Sequence, residues 1–289
     1  MLQRQSHTAT RLADGRVLIV GGYDAEGHSL NHAEIYDPSA NTFTATGRMH
    51  TARASHVAVQ LSDGRVMVMG GVGPNWTFLA SAEVYDPATG RFTPTGAMTQ
   101  ARQSHVAVVL DTDEVLVFGG HQGRRSRIQL FTSVERYDPA TATFAEVGHM
   151  QVRRHKHDAI LLPDGSVLIT GGADERDGRG QYTSVERYDP TTNTATLLGP
   201  MQRPRYKHHG TSVVLADGRV LLGGGHAQAE VYSPASGTSV LVPGAADMTG
   251  QFSATAQLPG GEVLITGGYG EGQGPQAKAW RYRLAEPDR

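Results

Sequence analysis

The chain contains no cysteine. Disulfide bridges, thiolate metal sites and cysteine nucleophiles are therefore excluded, and the redox compartment stays open. Tryptophan is scarce, at two residues in 289. No apolar run approaches the roughly 20 residues of a membrane-spanning helix. Charge of one sign is lacking too: 26 Lys and Arg against 28 Asp and Glu leave a net charge of −2, so no global field favours nucleic acid or a membrane surface. The opening residues Met1 to His7 lack the apolar stretch of a signal peptide. The expected location is cytoplasmic for a complete chain and secreted if a leader has been trimmed.

Glycine, by contrast, is abundant, at 36 residues, and it recurs in register. Pairs stand at Gly21-Gly22, Gly70-Gly71, Gly119-Gly120, Gly171-Gly172, Gly224-Gly225 and Gly267-Gly268, at spacings of 49, 49, 52, 53 and 43 residues. A period near 50 marks a supersecondary unit that must stack on its neighbours to bury its faces. In the second repeat, Arg53 to Leu61 alternates as a strand, Ser62-Asp63-Gly64-Arg65 is a hairpin turn, and Val66 to Met69 is a continuous apolar strand running into Gly70-Gly71. Ala82 to Tyr85 supplies a third strand, Asp86-Pro87 a turn, and Arg91-Phe92-Thr93 opens a fourth. Four antiparallel strands in each of six repeats predict an all-β chain, a single six-bladed β-propeller over residues 1–289. The blades fall at about 1–49, 50–98, 99–150, 151–201, 202–248 and 249–289. The sixth is expected to be incomplete, because neither end of the sequence supplies its fourth strand.

These residues resemble the kelch repeat of kelch proteins and of the galactose oxidase propeller domain. The likeness rests on the Gly-Gly pairs, on the tyrosines Tyr36, Tyr85, Tyr137, Tyr188 and Tyr232, and on an aromatic seven residues later at Phe43, Phe92 and Phe144. Kelch repeats usually carry tryptophan at that last position, and here Ala195 and Ser239 replace the aromatic in repeats four and five. The resemblance implies the propeller. It also admits ligand-binding, oxidase, mutarotase and iron-dependent specifier activities, while galactose oxidase chemistry is excluded because its cysteine–tyrosine crosslink has no cysteine.

The Asp-Gly and Asp-Pro turns are short and uniform, whereas the loops between second and third strands vary, shrinking to four residues (226–229) in the fifth repeat. Variable loops on a rigid frame are where sites sit. First strands on that face begin Arg-x-x-His at Arg4/His7, Arg53/His56, Arg102/His105 and Arg154/His157. The fifth repeat carries two extra residues between Met201 and Asp217, which predicts a bulge around His208-His209-Gly210. Imidazoles gathered at a channel mouth suit Zn, Fe or Cu, giving His105, His155, His157, His208 and His209 as candidate metal ligands. The opposing reading is structural. The sixth repeat replaces Arg, His and Glu together, with Gly250, Ser253 and Trp280, so the three residue types form one set, with each regular histidine expected to hydrogen-bond within it. Ligand-binding candidates on the loop face are Trp76, His121, Arg154, Arg205, Lys207 and His226, and the Arg124–Arg127 run offers an anion site. Two functions remain open: a propeller binding a protein, peptide or small molecule on this face, or a histidine–metal enzyme of the oxidoreductase, lyase or isomerase class at the channel mouth.

Overall fold

The computed structural model describes residues 2–243, 250–269 and 277–283, in which regular structure is β-strand apart from short 3-10 turns. The chain divides into two compact units, residues 1–148 and 149–289. The first unit runs through three antiparallel meanders. They are β1 (Thr8–Arg11), β2 (Val17–Val20), β3 (Ala33–Asp37) and β4 (Thr42–Ala45); then β5 (Val57–Gln60), β6 (Val66–Met69), β7 (Ala82–Asp86) and β8 (Arg91–Thr95); then β9 (Val106–Val109), β10 (Val115–Phe118), β13 (Ser133–Asp138) and β14 (Thr143–His149). A small hairpin, β11 (His121–Gln122) with β12 (Gln129–Leu130), projects from the third. The second unit repeats the pattern with β15 (Asp158–Leu161), β16 (Val167–Thr170), β17 (Val185–Asp189) and β18 (Thr194–Leu198), then β19 (Ser212–Val214), β20 (Val220–Leu222), β21 (Glu230–Ser233) and β22 (Thr238–Leu241). Its last meander has three strands among the described residues: β23 (Ala254–Gln257), β24 (Val263–Thr266) and β25 (Ala279–Tyr282). Residues 284–289, where a fourth strand was expected to begin, and the Gly-rich segment from Gly270 to Gly274 lie outside the described residues.

Second strands are the core. Every residue of β6, β10 and β16 is buried, as a strand covered on both faces requires. The tyrosine and the aromatic seven residues later are cross-strand partners. Tyr36 faces Phe43, Tyr85 faces Phe92 and Tyr137 faces Phe144, with ring centroids 4.7, 4.8 and 4.8 Å apart. The tyrosine hydroxyls tie successive meanders together: Tyr85 to Thr46 Oγ1 at 2.8 Å, Tyr137 to Thr95 Oγ1 at 2.7 Å, and Tyr232 to the Gly199 carbonyl at 2.8 Å.

First strands start later than the alternation suggests. In the second repeat Ala54 makes a lone bridge to Val72 and Ser55 adopts φ 51°, so pairing begins only at Val57. The same kink recurs at Ser6, Ser104, Lys156, Lys207 and Phe252, with φ between 53° and 57°. This alignment corrects the reading of the fifth repeat. Arg205-Tyr206-Lys207-His208 is a regular Arg-x-x-His, and the two extra residues follow it. They form a turn at His209-Gly210 ahead of β19, in place of the expected bulge. The Asp158 carboxylate fastens that turn, accepting from the backbone N–H of Gly210, Thr211 and Ser212 at 2.8, 3.0 and 2.9 Å.

Candidate functional site

Five buried arginine side chains anchor the strand entries, Arg4, Arg53 and Arg102 in the first unit and Arg154 and Arg205 in the second. Arg53 donates to the Gly70 carbonyl (3.0 Å) and to Glu83 (3.1 Å); Arg102 pairs in the same way with Gly119 and Glu135, Arg154 with Gly171 and Glu186, and Arg205 with Gly224 and Glu230. Arg4 makes the equivalent bonds to Gly21 and Glu34. The glutamates accept in addition from the backbone that enters the repeat, as Glu83 does from His50 and Thr51 at 2.7 and 3.0 Å. Arg154 and Arg205 therefore stand fully buried, with their guanidinium groups held inside the meanders.

The regular histidines do not join that set, contrary to expectation. The rings of His56, His105 and His208 reach into the preceding repeat and fill the space beside its Gly-Gly. A Cβ built on Gly21, Gly70 or Gly171 would lie 2.8, 2.6 or 2.8 Å from His56 Cε1, His105 Cε1 or His208 Nε2. Bonds follow the same direction, since His56 Nε2 meets Thr8 Oγ1 at 2.9 Å and His208 Nε2 donates to the Thr170 carbonyl at 3.0 Å. Burial holds the His56 and His208 imidazoles neutral. The pKa of His56 falls to about 3 by desolvation, with the Arg53 charge adding, and that of His208 to about 4 by desolvation against the nearby Asp158 carboxylate.

Four of the candidate metal ligands come together in the second unit. His157 is completely buried, with no hydrogen-bond partner at either ring nitrogen among the described residues. Desolvation, then the charges of Arg154, His208, His209 and His155, push its pKa well down. His155 occupies the lone-bridge position opposite Ala173, buried, with Nε2 3.5 Å from Asp177 Oδ1. Its pKa drops to about 4, through burial first and the Lys156 charge second. His209 is exposed in the inserted turn, and His105 is buried in the first unit. Among the described residues, no three His, Asp or Glu side chains are grouped as metal donors.

The remaining candidates are spread over the loops. His121 is buried beside its Gly-Gly, 3.0 Å from Gln103 Nε2 and edge-on to Phe78. His226 accepts from the Gln228 N–H at 3.1 Å through Nδ1. Lys207, half-buried, reaches Gln251 Oε1 and the Tyr269 hydroxyl. Trp76 is 46% exposed, an unusual setting for the largest side chain in a chain with two tryptophans. It closes the short turn Pro74–Trp76, where Asn75 and Trp76 both take positive φ, 56° and 59°. Tyr23 leans on it at 5.7 Å and the Arg124 guanidinium lies 3.7 Å over its ring centroid. Together with Gly27, Ser29 and Gly73, Tyr23 and Trp76 line an open cleft of about 290 Å³.

The family model of the Attractin/LZTR1 beta-propeller matches residues 1–229. The chain belongs to this family. The match to the Attractin/LZTR1 beta-propeller runs from the first meander into the fifth, and so takes in Trp76, the four clustered histidines and all five Arg–Glu pairs but for Glu230 itself. No curated protein matches the chain. Among the described residues of this Attractin/LZTR1-type propeller, no helix is long and apolar enough to cross a membrane.

Proposed function

We propose that the chain is a six-bladed propeller, three blades to each unit, that binds a protein or peptide partner on the face carrying the loops between second and third strands. The observation that carries this reading is Trp76. Two consecutive non-glycine residues in the left-handed region cost on the order of 1–3 kcal/mol each, and burial of the ring does not offset that cost, because the ring is half in water. Strain kept to display an aromatic, with a cation stacked on its ring and a cleft beside it, is the arrangement of an interface anchor. The buried arginines and histidines are framework in this reading: they hold the strand entries rigid so that the loops above them keep their positions.

A peptide-display library of random dodecamers panned against the folded chain tests the proposal. The wild type should enrich a consensus motif. Trp76→Ala and Arg124→Glu should each lose that enrichment while the melting temperature stays within a degree or two, since alanine keeps the Cβ and with it the same backbone strain. Failure of the wild type to enrich any sequence, or equal enrichment by Trp76→Ala, removes the basis for the reading.

A further inference from the structure

We propose that Lys156 and Lys207, on neighbouring blades of the second unit, form an anion site whose ligand group is a carboxylate. The inference stands apart from the Trp76 surface, which belongs to the first unit. Its starting point is the kink at the head of each first strand. All six repeats place a non-glycine residue there at positive φ, a conformation that the Cβ disfavours by roughly 1–2 kcal/mol and that short polar residues tolerate best. The first unit uses serine throughout, at Ser6, Ser55 and Ser104. The second uses Lys156, Lys207 and Phe252. The fold requires the backbone shape and not these side chains.

The backbone sets the two lysines next to each other. Lys207 N–H donates to the Lys156 carbonyl at 2.8 Å, and Phe252 N–H to the Lys207 carbonyl at 2.7 Å. Both ammonium groups also stand near the Tyr206 ring, Lys156 Nζ at 5.8 Å and Lys207 Nζ at 4.9 Å from its centroid. Their charges are unequally compensated. Lys156 Nζ bonds Asp177 Oδ1 at 2.7 Å. Lys207 Nζ meets neutral oxygens, Gln251 Oε1 at 3.1 Å and the Tyr269 hydroxyl at 3.3 Å, with the Phe252 and Tyr269 rings each 5.5 Å away. Two cations against one carboxylate leave about one positive charge in a half-buried setting.

Burial and the Lys207 charge lower the Lys156 pKa against the pull of Asp177, so the two ammonium groups feel each other. Like charges held together by the backbone, with the single carboxylate of Asp177 bonded to Lys156 and felt by Lys207 as well, suit a monoanion that accepts from both. The aromatic walls thin the water around that bond and strengthen it. An acidic side chain of a partner and a free small carboxylate share this chemistry.

The test measures calorimetric binding of two probes at low salt, N-acetylglutamate amide and a six-residue peptide with two adjacent glutamates. Lys156→Asn and Lys207→Asn are the variants, because asparagine accepts the left-handed backbone and carries no charge. At least one probe should bind the wild type, weaken with added salt, and lose tenfold or more in affinity in each variant, with the melting temperature unchanged or raised. Tighter binding of the peptide assigns the site to a partner's acidic side chain, and equal binding to a free carboxylate. No binding of either probe at 10 mM (on the order of the weakest useful affinity), or binding unchanged in the double variant, overturns the proposal. So does a marked fall in melting temperature without loss of affinity, which would make the lysines structural.

Discussion

Acid should destabilise this protein well above the pH at which its carboxylates titrate. Three buried histidines have deeply lowered pKa values: His56 at about 3, His155 at about 4 and His208 at about 4, each lowered chiefly by desolvation. In the unfolded chain an imidazole titrates near 6.5. Below that pH the unfolded state therefore binds protons that the folded state refuses, and stability falls as pH falls from about 6.5 towards the folded values. At pH 5.5 the loss is about 1.4 kcal/mol for each histidine, or about 4 kcal/mol for the three, relative to pH 7.5. His157, shifted in the same direction, adds to it. Carboxylates such as Glu83, whose folded pKa is lowered, contribute stability that is fully present above their unfolded value and so leave this window untouched. Against a typical total of about 5–15 kcal/mol, the loss is large. Urea unfolding followed by circular dichroism at pH 7.5, 6.5 and 5.5 measures it. His208→Gln, which can still donate towards the Thr170 carbonyl, should flatten the dependence by about one histidine's share. Equal unfolding free energies at pH 7.5 and 5.5, to within about 1 kcal/mol, would refute the buried neutral imidazoles.

Arg102→Met should cost about 3–5 kcal/mol, because it leaves the fully buried Glu135 without its cation; Arg65→Ala, which breaks a solvent-exposed pair with Asp63, should stay within about 1 kcal/mol in the same denaturation assay. Gly70→Ala should abolish soluble expression or lower the melting temperature steeply, since its Cβ would stand 2.6 Å from His105 Cε1 and 2.8 Å from the Arg102 carbonyl. Gly64→Ala, with a similar positive φ but open space around it, should cost only the conformational penalty of about 1–2 kcal/mol.

Much of the scaffold was legible because it is written in residues with narrow conformational or packing roles. Gly-Gly, Asp-Gly and Tyr-Asp-Pro located turns and strand ends, and the joint replacement of Arg, His and Glu by Gly250, Ser253 and Trp280 pointed to a structural set, which the Arg–Glu pairs form. The histidine partners were not legible, since Thr8 and Thr170 lie in the preceding repeat and no spacing within a repeat points to them. The kink at Lys156 and Lys207 was hidden for a related reason: a left-handed residue is visible in a sequence when it is glycine or asparagine, and these are lysines. Counting from Met201 to Asp217 misplaced the fifth repeat's extra residues, because the count cannot tell a turn after His208 from a bulge within a strand. The Asp158 carboxylate that fastens the turn stands in the repeat before it.

The glutamate clamps have a consequence for how the molecule can be cut. Glu83 grips the backbone of His50 and Thr51, Glu135 that of Thr99 and Gln100, and Glu186 that of Gln151 and Val152. Each of these three repeats thus holds the junction through which the chain arrives from its predecessor, and severing that junction would free the segment whose N–H groups the buried carboxylate binds. The module visible in the sequence is for this reason a poor module for engineering. New termini or inserted domains belong in the exposed Asp-Gly hairpins, such as Asp63-Gly64, where the open surroundings of the glycine leave room for a break that no neighbouring blade has to mend.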